Sequence, residues 1–116
     1  MINLEAATIS EIWSEIEKVM NENPAPFKDL NVVYQFDING DDGGTYQLSL
    51  LDGKATVSEA ARLEPKCTLE MKEADFKKLL KGKLNSTAAY MMGKLKVKGS
   101  LGLALKMEGL LKQYHF

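Results

Sequence analysis

The stretch VVYQFDINGDDGGTYQLSLLDGKATV, running from Val32 to Val57, sets the architecture. Val32, Tyr34, Phe36 and Ile38 alternate with Val33, Gln35 and Asp37, and Tyr46, Leu48 and Leu50 alternate with Gln47 and Ser49. A side-chain period of two puts one set on each face of a pleated strand. The Gly- and Asp-rich run from Asn39 to Gly44 separates the two strands. Asp52-Gly53 then signals a two-residue hairpin, because a type I′ turn needs positive φ at both central positions. Ala55 and Val57 continue the alternation. One apolar face repeated over consecutive strands predicts an antiparallel sheet covered on one side.

Downstream, Glu64-Pro65 breaks the chain. Cys67, Leu69 and Met71 then alternate with Lys66, Thr68, Glu70 and Lys72, which predicts another strand. Upstream, Ile9, Ile12, Trp13, Ile16, Val19 and Met20 recur at three- and four-residue steps, the mark of an amphipathic helix. Thr8 to Glu11 fits a capping box with Ala7 and Ile12 at staple positions, and Asn23-Pro24-Ala25-Pro26 ends the helix. The last third turns helical. Phe76, Leu79 and Leu80 form a short stripe ending at Gly82, and Asn85-Ser86 caps a short helix through Met92 that Gly93 closes. Lys94 to Lys98 reads as a strand with Leu95 and Val97 inward. Ser100 caps a final helix through Leu101, Leu103, Ala104, Leu105, Met107, Leu110, Leu111 and Tyr114. The order is one helix, several strands, two helices, a strand and a helix.

The 116 residues, 45% apolar and 27% charged, fit a single globular domain over 1–116. There is no apolar run of membrane-spanning length, no secretory leader and no C-terminal targeting signal, and Cys67 is the sole cysteine; the expected location is the cytoplasm. Charge is lopsided. Residues 1–65 carry four basic and twelve acidic side chains, and residues 66–116 carry eleven basic and four acidic. A basic half suits transient contact with an anionic membrane surface, or simply neutralises the acidic half within the fold. Arg62 is the one arginine among fifteen basic residues, which argues against a nucleic-acid partner.

No catalytic group emerges. A nucleophilic thiol needs a neighbouring base or positive charge, and Cys67 sits on the apolar face of a strand. His115, the one histidine, is second from the end. One Cys and one His do not make a zinc site. Asp37 to Gly44 lacks the ligand spacing and terminal Glu of a calcium loop, and the glycines from Gly82 to Gly109 lack the ending of a phosphate loop. The expectation is a protein that is not an enzyme, with no metal and no cofactor.

What remains is apolar. Met71, Met91, Met92 and Met107 cluster in the second half, and methionine suits surfaces that accept varied apolar shapes. The final helix is apolar around most of its circumference. A small one-sheet domain has little interior for such a helix, so its extra apolar side lines a cavity or meets a partner chain.

The second half resembles the sterol carrier protein-2 family. The residues that carry the likeness are Cys67-Thr68-Leu69, Asp75-Phe76, Leu79, Gly82-Lys83-Leu84-Asn85, Ala89-Tyr90-Met91, Gly93 to Gly99, and Gly102 to Lys106. Order and spacing agree over 66–111; the first half agrees in its opening helix and in the strand pair around Asp52-Gly53-Lys54. The resemblance implies an α/β (α+β) fold: a five-stranded, mostly antiparallel sheet covered on one face by helices that enclose an apolar tunnel. It implies binding of fatty acid, fatty acyl-CoA, sterol or another lipid without catalysis. From alternation and helical phase, Phe36, Ile38, Leu48, Leu50, Leu69 and Met71 are the expected floor of that cavity. Leu80, Met91, Met92, Leu101, Leu105 and Met107 are the expected lid. The competing reading is an accessory or dimerisation module, whose apolar C-terminal helix packs on a second copy or on a separate enzyme.

Overall fold

The computed structural model describes residues 2–116. Helix α1 spans Ile9–Glu22, followed by a 3-10 turn at Ala25–Phe27. Strands β1 (Val32–Asn39), β2 (Gly44–Leu51), β3 (Lys54–Glu59) and β4 (Cys67–Lys72) come next. Then follow α2 (Glu73–Leu80), α3 (Ser86–Met91), β5 (Lys96–Gly99) and α4 (Leu101–Leu111). The caps sit where local chemistry puts them. Thr8 and Glu11 form a complete capping box, and Asn85 and Ser100 accept from the backbone N–H groups of Ala88 and Leu103. Asp52 and Gly53 take φ of 54° and 74°, the expected hairpin geometry.

The five strands form one sheet in the order β3-β2-β1-β4-β5. All neighbours are antiparallel except β1 and β4, which run parallel with Tyr34 beside Cys67 and Phe36 beside Leu69. The helices share one face. Trp13 of α1 and Phe76 of α2 both pack on Phe36, and the Tyr34 hydroxyl donates to the Leu103 carbonyl of α4 at 2.8 Å. Three links hold the β1–β2 turn in place. The Asp42 carboxylate accepts from the Ile9 N–H at 2.7 Å, Asp42 N–H donates to Glu73 at 2.6 Å, and Thr45 donates to Asp37 at 3.0 Å. Three acidic groups in and beside the candidate calcium loop are thus spent on structure, and no cluster of metal-ligating side chains occurs among the described residues.

Three local expectations are corrected, and one short element is added. Lys94 and Leu95 belong to a turn, because the Lys94 and Leu95 N–H groups both donate to the Ala89 carbonyl, so β5 begins only at Lys96. Helix α4 stops at Leu111, and Tyr114 lies beyond it. The 3-10 turn at Ala25–Phe27 buries Phe27 and is not written in any apolar period. The back of the sheet is also partly covered. Gln47, on the polar side of the alternation, is wholly buried beneath the β3–β4 connection. Its amide donates to the Leu63 carbonyl at 2.8 Å and to Gln35 at 3.0 Å, and its oxygen accepts from the Arg62 and Leu63 N–H groups. Gln47→Ala should leave these backbone groups unpaired and lower stability by about 2 kcal/mol. Chemical denaturation measures this; a loss under about 0.5 kcal/mol would show that the connection re-solvates freely.

Side chains of α1 close one sheet edge. Asn21 pairs with both the N–H and the C=O of Ala55 at 2.8 Å, and Glu17 accepts from the Val57 N–H at 2.7 Å. The amide takes the place of a neighbouring strand, which blunts an edge otherwise open to pairing.

Candidate functional site

The inner face of the sheet divides into two halves. Over β1 and β2, Trp13 packs on Phe36, Tyr46 and Phe76 at ring distances of 4.9, 5.5 and 5.1 Å. Leu48 and Leu50 face the same way, paired across the ladder with Val57 and Ala55 of β3 beneath α1. The other half, over β4 and β5, lies under α2 and α4. Here Cys67, Leu69 and Met71 of β4 are buried, as are Ala104, Met107, Leu110 and Leu111 of α4, and both α4 and α2 pack on β4.

The twelve residues expected to line a cavity therefore separate. Phe36, Leu48 and Leu50 belong to the packed half under α1. Leu69 and Met71 lie on β4, and Ile38 pairs with Met71. Leu80 and Met107 are buried as expected. Met91, Met92, Leu101 and Leu105 are not: they are 80%, 67%, 43% and 43% exposed. Met91 and Met92 stand at the exposed C-terminal end of α3, and for Leu101 and Leu105 the reason is helical phase. Because α4 is apolar almost all round, its sequence does not say which side turns inward, and the side that does carries Ala104, Met107 and Leu111.

Two tyrosines that the search for site residues passed over hold α4 at both ends. Tyr34 reaches from the centre of the sheet to Leu103, and Tyr114 donates to the Asn23 carbonyl at 2.7 Å. Burial pushes both hydroxyls above the ordinary tyrosine value, so they stay protonated donors at neutral pH. Tyr34 was legible as an inward residue of β1, but its hydroxyl's role was not. The Cys67 thiol is pushed up to about 11 by desolvation, which keeps it protonated and un-nucleophilic at neutral pH.

Two half-open crevices flank this half of the sheet. One, of about 370 Å³, lies at the C-terminal ends of the parallel strands and is lined by Asn39, Glu70, Lys72, Asp75, Lys94 and Lys96. The other, of about 300 Å³, follows the seam between the 3-10 turn and α4 and is lined by Pro26, Leu30, Lys106, Leu110 and Gln113. Apolar side chains dominate the walls of the second, which adjoins the Tyr114 contact to Asn23. No helix among the described residues is long and apolar enough to cross a membrane.

Known proteins share this arrangement. The chain is 36% identical over 110 residues to hydroxysteroid dehydrogenase-like protein 2 of Xenopus tropicalis, covering 94% of this chain and 26% of that protein. It is 33% identical to human sterol carrier protein 2 over 103 residues, which is 85% of this chain and 19% of that protein. The chain thus spans about a quarter or less of the length of these relatives. Among solved structures, the sterol carrier protein domain 2 of Helicoverpa armigera superposes with a TM-score of 0.77 at 27% identity. That match covers 97% of this chain and 91% of that one. Sterol carrier protein 2 from Yarrowia lipolytica, in its apo form, gives 0.71 at 26% identity, with 87% of each chain covered. The model of the SCP-2 sterol transfer family matches residues 14–112, and this chain belongs to that lipid-binding family.

Proposed function

We propose that this domain carries or presents a lipid, taking the apolar chain of a fatty acid, fatty acyl-CoA or sterol-like molecule between α4 and the β4–β5 half of the sheet. The supporting observation is α4 itself. It is apolar on nearly every side, and few side-chain hydrogen bonds tie it to the rest of the fold: Tyr34 to the Leu103 carbonyl, the Ser86 N–H to Glu108, and, just beyond its end, Tyr114 to the Asn23 carbonyl. An apolar helix held this way separates from the sheet at the cost of those hydrogen bonds, and an apolar ligand covers the surface so uncovered. The seam lined by Pro26, Leu30 and Leu110 is the proposed entrance, with Leu69, Met71 and Met107 as walls. Phe36, Ile38, Leu48, Leu50 and Leu80 then back this wall and need not touch the ligand. The α1 half, filled by aromatic rings, stays closed.

A second reading, an accessory module on a separate enzyme or a second copy, draws on the much longer relatives and on the exposed Leu101 and Leu105. Extraction of the purified protein with organic solvent and mass spectrometry of the extract separates the two. Lipid recovered in near-equimolar amount supports the carrier reading. An extract free of lipid, together with failure to take up added fatty acid or acyl-CoA, favours the accessory module.

A further inference from the structure

The chain leaves the parallel strands β1 and β4 in opposite directions. From its carboxyl end β1 turns back into β2 on one side, while β4 runs into α2 and the chain returns as β5 on the other. Strands that part in this way leave a crevice between their connections, the usual place for a ligand in an open sheet. The crevice of about 370 Å³ lies there, within the range of roughly 300–1,000 Å³ for small-molecule sites. One of its walls holds a group that the packing does not explain. Asp75 is only 8% exposed, yet its carboxylate makes no hydrogen bond or ion pair among the described residues. A carboxylate taken so far out of water needs a partner, and the crevice is the open space beside it.

Lys72, Lys94 and Lys96 line the same crevice and are likewise without an ion pair among the described residues. The neighbouring acids are committed elsewhere. Glu70 accepts from the Asn39 amide at 3.1 Å, and Glu73 accepts from the Asp42 N–H at 2.6 Å. No side chain caps α2 at Lys72, and Ala74 of its first turn lines the crevice. First-turn N–H groups without an intrahelical partner therefore border the space. We infer that this crevice binds a phosphate monoester with a free hydroxyl close to the phosphate. The three lysines and the first turn of α2 hold the phosphate, and the hydroxyl donates to Asp75. A bare anion leaves Asp75 without a donor and sets a second negative charge beside it. A metal cation is repelled by three ammonium groups and finds no cluster of ligating side chains among the described residues. A glycerol or ribose phosphate satisfies both halves of the site. Such a group arrives free in water or at the head of a lipid, because Met71 belongs both to this crevice and to the proposed wall of the lipid site. The lipid-borne case rests on the carrier reading, and the free case does not.

Titration of nitrogen-15-labelled protein with glycerol 3-phosphate, followed through the backbone amide signals, tests the site. The signals of Ala74, Asp75 and Gly93 should shift at millimolar ligand. Binding should be about tenfold tighter than that of inorganic phosphate, the contribution of one charge-assisted hydrogen bond. Asp75→Asn should abolish that preference while binding inorganic phosphate at least as well as wild type does, a split that general unfolding does not produce. Lys94→Gln with Lys96→Gln should weaken both ligands roughly tenfold. A soluble lysophosphatidate, 1-oleoyl-glycerol 3-phosphate, separates the two sources. Binding at least tenfold tighter than glycerol 3-phosphate, with the same dependence on Asp75, makes the crevice the head-group site of a carried lipid. Equal binding of the two makes it a site for a free phosphorylated metabolite. The proposal is overturned if glycerol 3-phosphate shifts no signal at the crevice, binds no tighter than inorganic phosphate, or binds Asp75→Asn as it does wild type. Failure of the protein to take up fatty acid counts against carriage and leaves the free-ligand site standing.

Discussion

Trp13→Ala should destabilise the protein by about 4 kcal/mol and lower its melting temperature by roughly 16 °C. Trp13 is 1% exposed and packs on three aromatic rings drawn from β1, β2 and α2. Its removal therefore opens a cavity where α1 is fastened to the sheet and to α2. The surrounding rings are themselves fixed by strand register, so the space does not collapse cheaply. Trp13→Phe makes an informative contrast. The indole Nε1 is buried without a hydrogen-bond partner among the described residues. A phenyl ring loses volume but sheds that unpaired donor, so its cost should stay below about 1.5 kcal/mol. Urea unfolding of both variants gives the comparison. A loss under about 1 kcal/mol for Trp13→Ala would mean that the α1 half is loosely packed, and ligand would then have two places to go instead of one.

The elements of this fold were legible because their signals are local. Thr8, Asn85 and Ser100 cap helices through bonds three residues away, and the period-two runs around Phe36, Leu48 and Leu69 are strands whatever they pair with. Sheet order is different in kind. The parallel pairing that sets Tyr34 beside Cys67 joins residues 33 positions apart, and no alternation encodes which strand lies next to which. Gln47 was misread as a solvent-facing residue for a related reason: a polar side chain on the back of a sheet looks the same whether water or the Arg62–Leu63 backbone satisfies it. The lid residues suffered from the opposite problem, an excess of apolar signal. On α1 the polar face tells which side is buried. On α4, Leu101, Leu105 and Met107 are equally apolar, and only the folded packing, with Ala104, Met107, Leu110 and Leu111 turned inward, shows that Leu101 and Leu105 lie outside. The apolar excess of α4 was legible in the sequence, while which of its residues turn inward needed the third dimension.

Lipid-free protein should melt roughly 10 °C higher when long-chain fatty acid or acyl-CoA is added at a hundredfold excess over Kd, because a ligand specific to the folded state contributes about 2.7 kcal/mol there. The site of entry adds a second, sharper expectation. If α4 must part from the sheet, the free energy of parting is subtracted from the intrinsic affinity. The hydrogen bond from Tyr34 to Leu103 is a portion of that cost, about 1 kcal/mol. Tyr34→Phe should thus lower the melting temperature of the lipid-free protein by roughly 4 °C and tighten lipid binding about fivefold, a pairing that simple destabilisation does not produce. Trp13, the one tryptophan, is packed among Phe36, Tyr46 and Phe76 under α1, whereas α4 packs on β4 and β5, so its fluorescence should change little as the ligand enters. A large change would place the acyl chain under α1 instead. Should Tyr34→Phe weaken the fold and leave affinity untouched, lipid enters by a route that does not move α4. Should no lipid shift the melting point of either protein, α4 is packed core, and its exposed Leu101 and Leu105 are left to a partner surface alone.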